Sequence, residues 1–380
     1  MVGKKKNRDK SRQKKLKKRR IWLDGVSRSK EKSRSESDAV IGRLQGDEGL
    51  YDIDEPFETD DDGFDDDDDL ISPRPPVRPM TFDTEKMMQA MTKLLEGKDF
   101  KNENEMDEYL QKMSAGKTID EIIEIAGGDN DPVLSAQELA YQAVETENPL
   151  EAKRLASEAL ALNPNCIDAL ITMANIDSNT TEELLYNIKA IVEKAEDNFG
   201  EEYFNENMGH FWGLIETRPY MRALAVLSCS YFMCDKIVDA IRCAERMLQL
   251  NPNDNQGIRN SLMNYYLMLD EVEKFRRLDR EYNPDDGNDG DFAVPNWCRV
   301  LERFVSNDID GAKRVLKNAR AKNRFVELYL TGKKKTPNRI VAGYALGSKE
   351  EAIDCFNSIS FSWYKHPDAI KWLEEQCYAK

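Results

Sequence analysis

Leu162-Asn163-Pro164-Asn165 and Leu250-Asn251-Pro252-Asn253 are the same four residues met twice in one chain. Each copy closes a run of apolar residues at helical spacing, and an alanine stands twelve residues before each proline, Ala152 before Pro164 and Ala240 before Pro252. Alanines at 152, 156 and 159 let a second helix approach closely. A proline ends a helix because it lacks an N–H and its ring collides with the preceding turn. Each copy therefore marks the second helix of a stacked helix–turn–helix unit.

Working outward, the chain beyond residue 80 carries the 3.6-residue period in segment after segment, and no segment of any length alternates with period two. Leu139, Ala140 and Ala143 form the face of a first helix from about Ser135, and Pro149 opens its partner. Leu224, Leu227 and Tyr231 precede Ala240, Ala244, Met247 and Leu248 in the second unit. Between the units the spacing predicts a helix through Leu184, Ile188 and Ala195, then another through Tyr203, Phe204, Phe211, Trp212 and Leu214. After Pro252 come helices around Leu262–Leu269 and Val272–Tyr282, a polar loop at Pro284–Gly290, and a third pair around Trp297–Phe304 and Ala312–Ala319. Ala352, Ile353, Phe356, Ile370, Trp372 and Leu373 close the array. The two tetrapeptides lie 88 residues apart, so the array is irregular between them. The fold class expected is all-α, a solenoid of helix pairs.

Charge divides the rest of the chain. Residues 1–34 carry 16 Lys/Arg against 3 Asp/Glu, and residues 35–70 carry one Arg against 16 Asp/Glu. With a net charge of −16 overall, the remainder holds −14 and is a poor nucleic-acid surface. A Pro-rich linker follows at Pro73–Pro79, and residues 1–80 are expected to be a disordered basic-then-acidic arm. Residues 81–130 read as a small module of two or three helices, capped at Asn102-Glu103 and Thr118, and residues 131–380 as the repeat domain. Seven scattered cysteines point to buried hydrophobes in a reducing compartment. No apolar run suits a membrane span or a secretory signal, so a cytoplasmic protein is expected.

The blocks Gly209-His210-Phe211-Trp212-Gly213-Leu214-Ile215-Glu216-Thr217-Arg218-Pro219-Tyr220-Met221-Arg222 and Met247–Arg259 carry a resemblance, together with Tyr329-Leu330-Thr331-Gly332-Lys333 and Trp372-Leu373. With these the chain resembles a bacterial family of tetratricopeptide-repeat proteins, itself distantly similar to the suppressor of tumorigenicity 7 family. The resemblance runs from Ser135 to the C-terminus and leaves out the charged arm. It implies a tetratricopeptide-like α-solenoid with a binding role and brings no catalytic residues.

The block His210–Arg222 is also the strongest site candidate. Counting from Ala240 places Arg222 on the concave face of a first helix, with Arg218 just before it, and places Gln256, Arg259 and Asn260 on that face one unit later. Guanidinium and amide groups there suit a peptide carboxylate or acidic segment. A second reading makes Phe211 and Trp212 core and pairs Arg218 or Arg222 with Glu216 as a brace. His210 and His366 have no Cys, His or carboxylate at ligand spacing, which disfavours zinc and triad chemistry. Gly116-Lys117-Thr118 lacks the glycine and the strand of a phosphate loop, and Asp60–Asp69 lacks EF-hand spacing. The function expected is a non-enzymatic protein- or peptide-binding scaffold, without cofactor or metal. The alternative is a nucleic-acid- or ribosome-associated factor whose basic arm docks on nucleic acid or an acidic protein.

Overall fold

A computed structural model describes residues 82–126, 131–282, 292–335 and 343–378. The arm at 1–80 and the loop at Pro284–Gly290 lie outside them. The described residues contain sixteen α-helices and no strand. In chain order they are α1 (Asp83–Leu95), α2 (Glu103–Ser114), α3 (Ile119–Ile125), α4 (Pro132–Glu145), α5 (Pro149–Leu162), α6 (Ile167–Asp177), α7 (Thr181–Asn207) and α8 (Arg218–Met233). There follow α9 (Ile237–Leu250), α10 (Ile258–Met268), α11 (Val272–Tyr282), α12 (Ala293–Val305), α13 (Ile309–Lys322), α14 (Val326–Leu330), α15 (Lys349–Lys365) and α16 (Pro367–Tyr378).

Contacts divide these residues into two compact units. Lys98–Lys112 belongs to one, while 82–97 and 113 onward belong to the other. In the first, Asn102 caps α2 by accepting the Glu105 N–H at 3.0 Å, and Lys98 lies 5.0 Å from the Tyr109 ring centre.

In the second unit neighbours in sequence are neighbours in space: α4 packs on α5, α8 on α9, and α12 on α13. The first helices of successive pairs also touch, α4 on α6, α6 on α8, and α10 on α12. Alanine permits the closest of these approaches. Ala136, Ala140, Ala156, Ala159 and Ala169 are fully buried in a small core among α4, α5 and α6. A larger core runs from Ile171 to Leu373.

The turns recur as closely as the helices. Between α8 and α9 the Asp235 N–H bonds to the Phe232 carbonyl and the Lys236 N–H to that of Tyr231. Asp270 and Glu271 repeat this between α10 and α11, as do Asn307 and Asp308 between α12 and α13. The paired bonds are those of a Schellman cap, which needs a left-handed residue. Asp235, Asp270 and Asn307 supply it with φ of 57°, 57° and 59°. Aspartate and asparagine tolerate that region better than other side chains.

The tetrapeptide marks the other kind of turn, from one pair to the next. Asn163 and Asn251 end α5 and α9, their N–H groups bonding to Ala159 and Met247. Asn323 does the same for α13, bonding to Ala319, and lies eleven residues after the buried Ala312 as Asn163 lies after Ala152. This third copy lacks the proline, because Arg324 occupies that place. From Ala240 to Ala312 is 72 residues, two units of 36, and the pair α10–α11 fills the interval.

The helix expected through Tyr203–Leu214 does not form as one piece. Helix α7 turns at Gly200, whose φ of 74° only glycine adopts freely, and runs on to Asn207. Gly209 then also takes positive φ, and two 3₁₀ turns, Phe211–Gly213 and Ile215–Thr217, lead to Pro219 in the first turn of α8. The aromatics of this stretch pack on one another: Phe204 stacks on Phe211 at 5.0 Å and meets Tyr220 edge-on at 5.6 Å. The break delivers α8 so that its first turns face α1.

Candidate functional site

The first turns of α8 present Arg218 and Arg222 to a cluster drawn from α1, α4 and α6. Arg222 donates to Asp168 through Nε at 2.8 Å and Nη2 at 2.6 Å, a two-pronged pairing that matches the planar guanidinium to the carboxylate. Its Nη1 reaches both oxygens of Glu85, at 2.9 and 3.0 Å. Arg218 pairs with the same Glu85 at 3.3 Å, donates through Nε to the Trp212 carbonyl at 2.9 Å, and lies 5.1 Å from the Trp212 ring.

The carboxylates have further donors. Gln137 Nε2 donates to Asp168 at 2.7 Å, the Tyr141 hydroxyl donates to Glu85 at 3.0 Å, and Gln89 Nε2 donates to Tyr141 at 3.0 Å. Phe82, the residue before α1, stacks on Tyr141 at 4.2 Å with the Arg222 guanidinium 5.2 Å from its ring centre. The side chains of Glu85, Asp168 and Arg222 keep only 6%, 3% and 11% of their surface exposed. Burial alone would lower the Arg222 pKa, but the Asp168 and Glu85 carboxylates outweigh it and hold the group above its ordinary value. Burial raises the Tyr141 phenol far above its ordinary range, so it stays a neutral donor.

Of the five residues singled out by sequence, Arg218 and Arg222 are thus engaged inside the chain. Their partners Asp168 and Glu85 lie far earlier in sequence, Glu85 137 residues before Arg222. No local pattern around α8 signals such a pairing. The expectation that Phe211 is core holds, since it is fully buried, whereas Trp212 is only half-buried.

Gln256, Arg259 and Asn260 gather one step along, at the start of α10. Gly257 precedes that helix with φ of 70°, and the buried Asp254 carboxylate takes the N–H groups of Ile258 at 2.8 Å and Arg259 at 3.2 Å. Burial pushes the Asp254 carboxyl above its ordinary value. Gln256 Nε2 donates to the Met221 carbonyl at 3.2 Å, which ties this group to the residue next to Arg222. Arg259 lies 3.7 Å from Asp254 and 5.4 Å from the Tyr282 ring centre. Three polar atoms here are closed to water and have no hydrogen-bond partner: Gln256 Oε1, Arg259 Nε and Asn260 Oδ1. Two acceptors and one donor left over around the start of α10, one before its Gly257 cap and two in its first turn, are an unusual remainder, because nearly all buried polar groups in folded proteins are paired.

Among the described residues no group of His, Cys, Asp and Glu could hold a metal ion. No described helix is long and apolar enough to cross a membrane. Compared with known proteins, the chain matches no family model, no curated protein and no solved structure.

Proposed function

We propose that this chain is a non-enzymatic scaffold, a tetratricopeptide-like α-solenoid that binds a protein or peptide segment along the face carrying the first turns of α8 and α10. One observation carries the reading: the unpartnered trio Gln256 Oε1, Arg259 Nε and Asn260 Oδ1. The three side chains are themselves half-buried, so rotating them would bring these closed atoms to the surface, where a peptide backbone has what the trio lacks. Its N–H groups suit the two amide oxygens, its carbonyls suit the guanidinium Nε–H, and both occur at every residue of an extended segment. Leaving each such atom unpaired costs about 1–3 kcal/mol, which a bound segment would recover. The unpaired state of the described cysteines supports a place in the reducing cytoplasm.

The test is affinity purification of the full chain against Gln256→Ala/Arg259→Ala/Asn260→Ala. Proteins recovered by the first and lost from the second, at equal thermal stability, are the expected result. Identical recovery by both would overturn the reading.

The concentration of positive charge in residues 1–34 favours a second reading, a nucleic-acid- or ribosome-associated factor docked through that arm. Salt-sensitive retention on RNA that vanishes when residues 1–34 are deleted would support it. Retention that survives the deletion would eliminate it.

A further inference from the structure

The groove beside Arg218 and Arg222 already holds a helix, and that helix belongs to this chain. We infer that α1 is an in-chain ligand that keeps the groove closed until a partner helix of the same chemistry displaces it. The inference deepens the binding reading above and rests on it.

Recognition is concentrated in Phe82-Asp83-Thr84-Glu85-Lys86. The Phe82 ring fills the space against Tyr141, and Glu85 lies between two arginines and a tyrosine hydroxyl. Lys86 turns the other way, to Glu138 at 3.0 Å and Glu145 at 3.7 Å on α4. One helix therefore offers acid to α8 and base to α4. A charge count says why the groove needs an occupant of this kind. Arg222 pairs with Asp168 and Glu85, and Arg218 pairs with Glu85, so losing Glu85 removes a carboxylate that both buried guanidiniums share. A buried unbalanced charge is unfavourable, and a carboxylate is its remedy.

The rest of α1 is held chiefly by polar ties, Gln89 to Tyr141 at 3.0 Å and Lys93 to Asp131 at 2.8 Å, rather than by a deep apolar face. Beyond Phe82, its buried apolar residues are Ala90 and Leu94, while Met87, Met88, Met91 and Leu95 stay half-buried. An open cleft of about 310 Å³ remains where α1 and α3 meet α4, lined by Gln89, Ala90, Ile123 and Leu139 among others. A 13-residue helix is also marginal once it leaves its dock. By contrast α8 buries Pro219, Tyr220, Met221, Ala223, Leu224 and Leu227. The groove is thus built into the permanent core, and its occupant is tied on through one aromatic and a few ions. The partner that fits is a helix with an aromatic residue, a carboxylate three positions later, and a Lys or Arg next to it.

The test uses the full chain and a fluorescent peptide of the sequence Phe82–Gly97. Wild-type protein, with its groove filled, binds the peptide weakly. The full-length Phe82→Ala/Glu85→Ala variant binds it on the order of tenfold or more tightly, by the fraction of competent groove released. The peptide carrying Glu85→Ala, or a protein variant that also carries Arg218→Gln, loses the gain. Equal binding by wild type and variant, or none by a variant with an unchanged circular dichroism spectrum, overturns the inference.

Hydrogen exchange on the unaltered chain tests it again without any substitution. Amides of α1 exchange roughly tenfold or more faster than those of α8 and α9, through local opening. Equal protection of the three helices overturns it. The two readings fail separately. Peptide rebinding with no partner lost on changing Gln256, Arg259 and Asn260 sinks the scaffold and spares the lock. Partner loss without peptide rebinding does the reverse.

Discussion

Replacing Arg222 by alanine should damage the fold itself, although the residue reads in sequence as a surface contact for a partner. Its guanidinium makes two hydrogen bonds to Asp168, at 2.6 and 2.8 Å, and two to Glu85, at 2.9 and 3.0 Å. Truncation leaves both carboxylates buried. Asp168 keeps Gln137, and Glu85 keeps Tyr141 and Arg218. Breaking a buried pair from one side typically costs about 3–5 kcal/mol, and the surviving donors place this case near the lower end, about 3–4 kcal/mol. At roughly 2–4 °C per kcal/mol, the melting temperature falls by roughly 6–16 °C. Arg259→Ala is the comparator: its side chain is 27% exposed, its ion pair is longer, at 3.7 Å, and Asp254 keeps the backbone N–H groups of residues 258 and 259, so the expected cost stays below about 1 kcal/mol. Urea unfolding followed by circular dichroism reads both. Adding Asp168→Asn to Arg222→Ala should then recover stability, because it removes an unpaired charge. An Arg222→Ala loss below about 1 kcal/mol, matching that of Arg259→Ala, would refute the buried network.

Three further outcomes follow from the geometry. At the exposed Asp235, in the left-handed position of the α8–α9 turn, glycine should hold or raise stability, while valine lowers it by about 1–2 kcal/mol, as thermal melts will report. Burial pushes the Cys166 and Cys229 thiols up to about 11 and that of Cys243 to about 12, and Cys298 and Cys355 are wholly buried. Cys229 and Cys234 are both half-buried and burial raises the Cys234 thiol too, but Cys234 ends α8 beside the exposed Asp235, so of these six it should react first with a thiol reagent at pH 7.5, as mass mapping of the labelled sites will show. The Lys93 hydrogen bond holds the Asp131 carboxyl below its ordinary 3.8, so folding gains from the ionised form. That gain is present above pH 3.8 and is lost as pH falls through the lowered value. Asp131→Asn should flatten this acid limb in melts taken between about pH 2 and 5, and an unchanged limb would show that other carboxylates set it.

Sequence alone determined the all-helical character and the pairing of neighbours, because apolar period, caps and chain breaks act over a few residues. The tetrapeptide found two of the turns between pairs. It missed the third because a helix end needs the asparagine and its backbone bonds, as at Asn323, and not the proline. The Thr118 cap was legible for the same reason, since the capping box with Glu121 spans three residues. The break after Asn207 was not, because it depends on two glycines at positive φ and on aromatics packing on one another. The fate of the arginines was the least legible of all. Gln256, Arg259 and Asn260 could be grouped by counting along the chain, since all three fall at the start of α10. Only tertiary structure could bring Glu85 and Asp168 to Arg222, since attraction between buried charges depends on distance in space and leaves no period in the chain. The repeated Leu-Asn-Pro-Asn thus specifies where helices stop, and the packing of α1 against α8 decides which of their polar residues remain free to meet a partner.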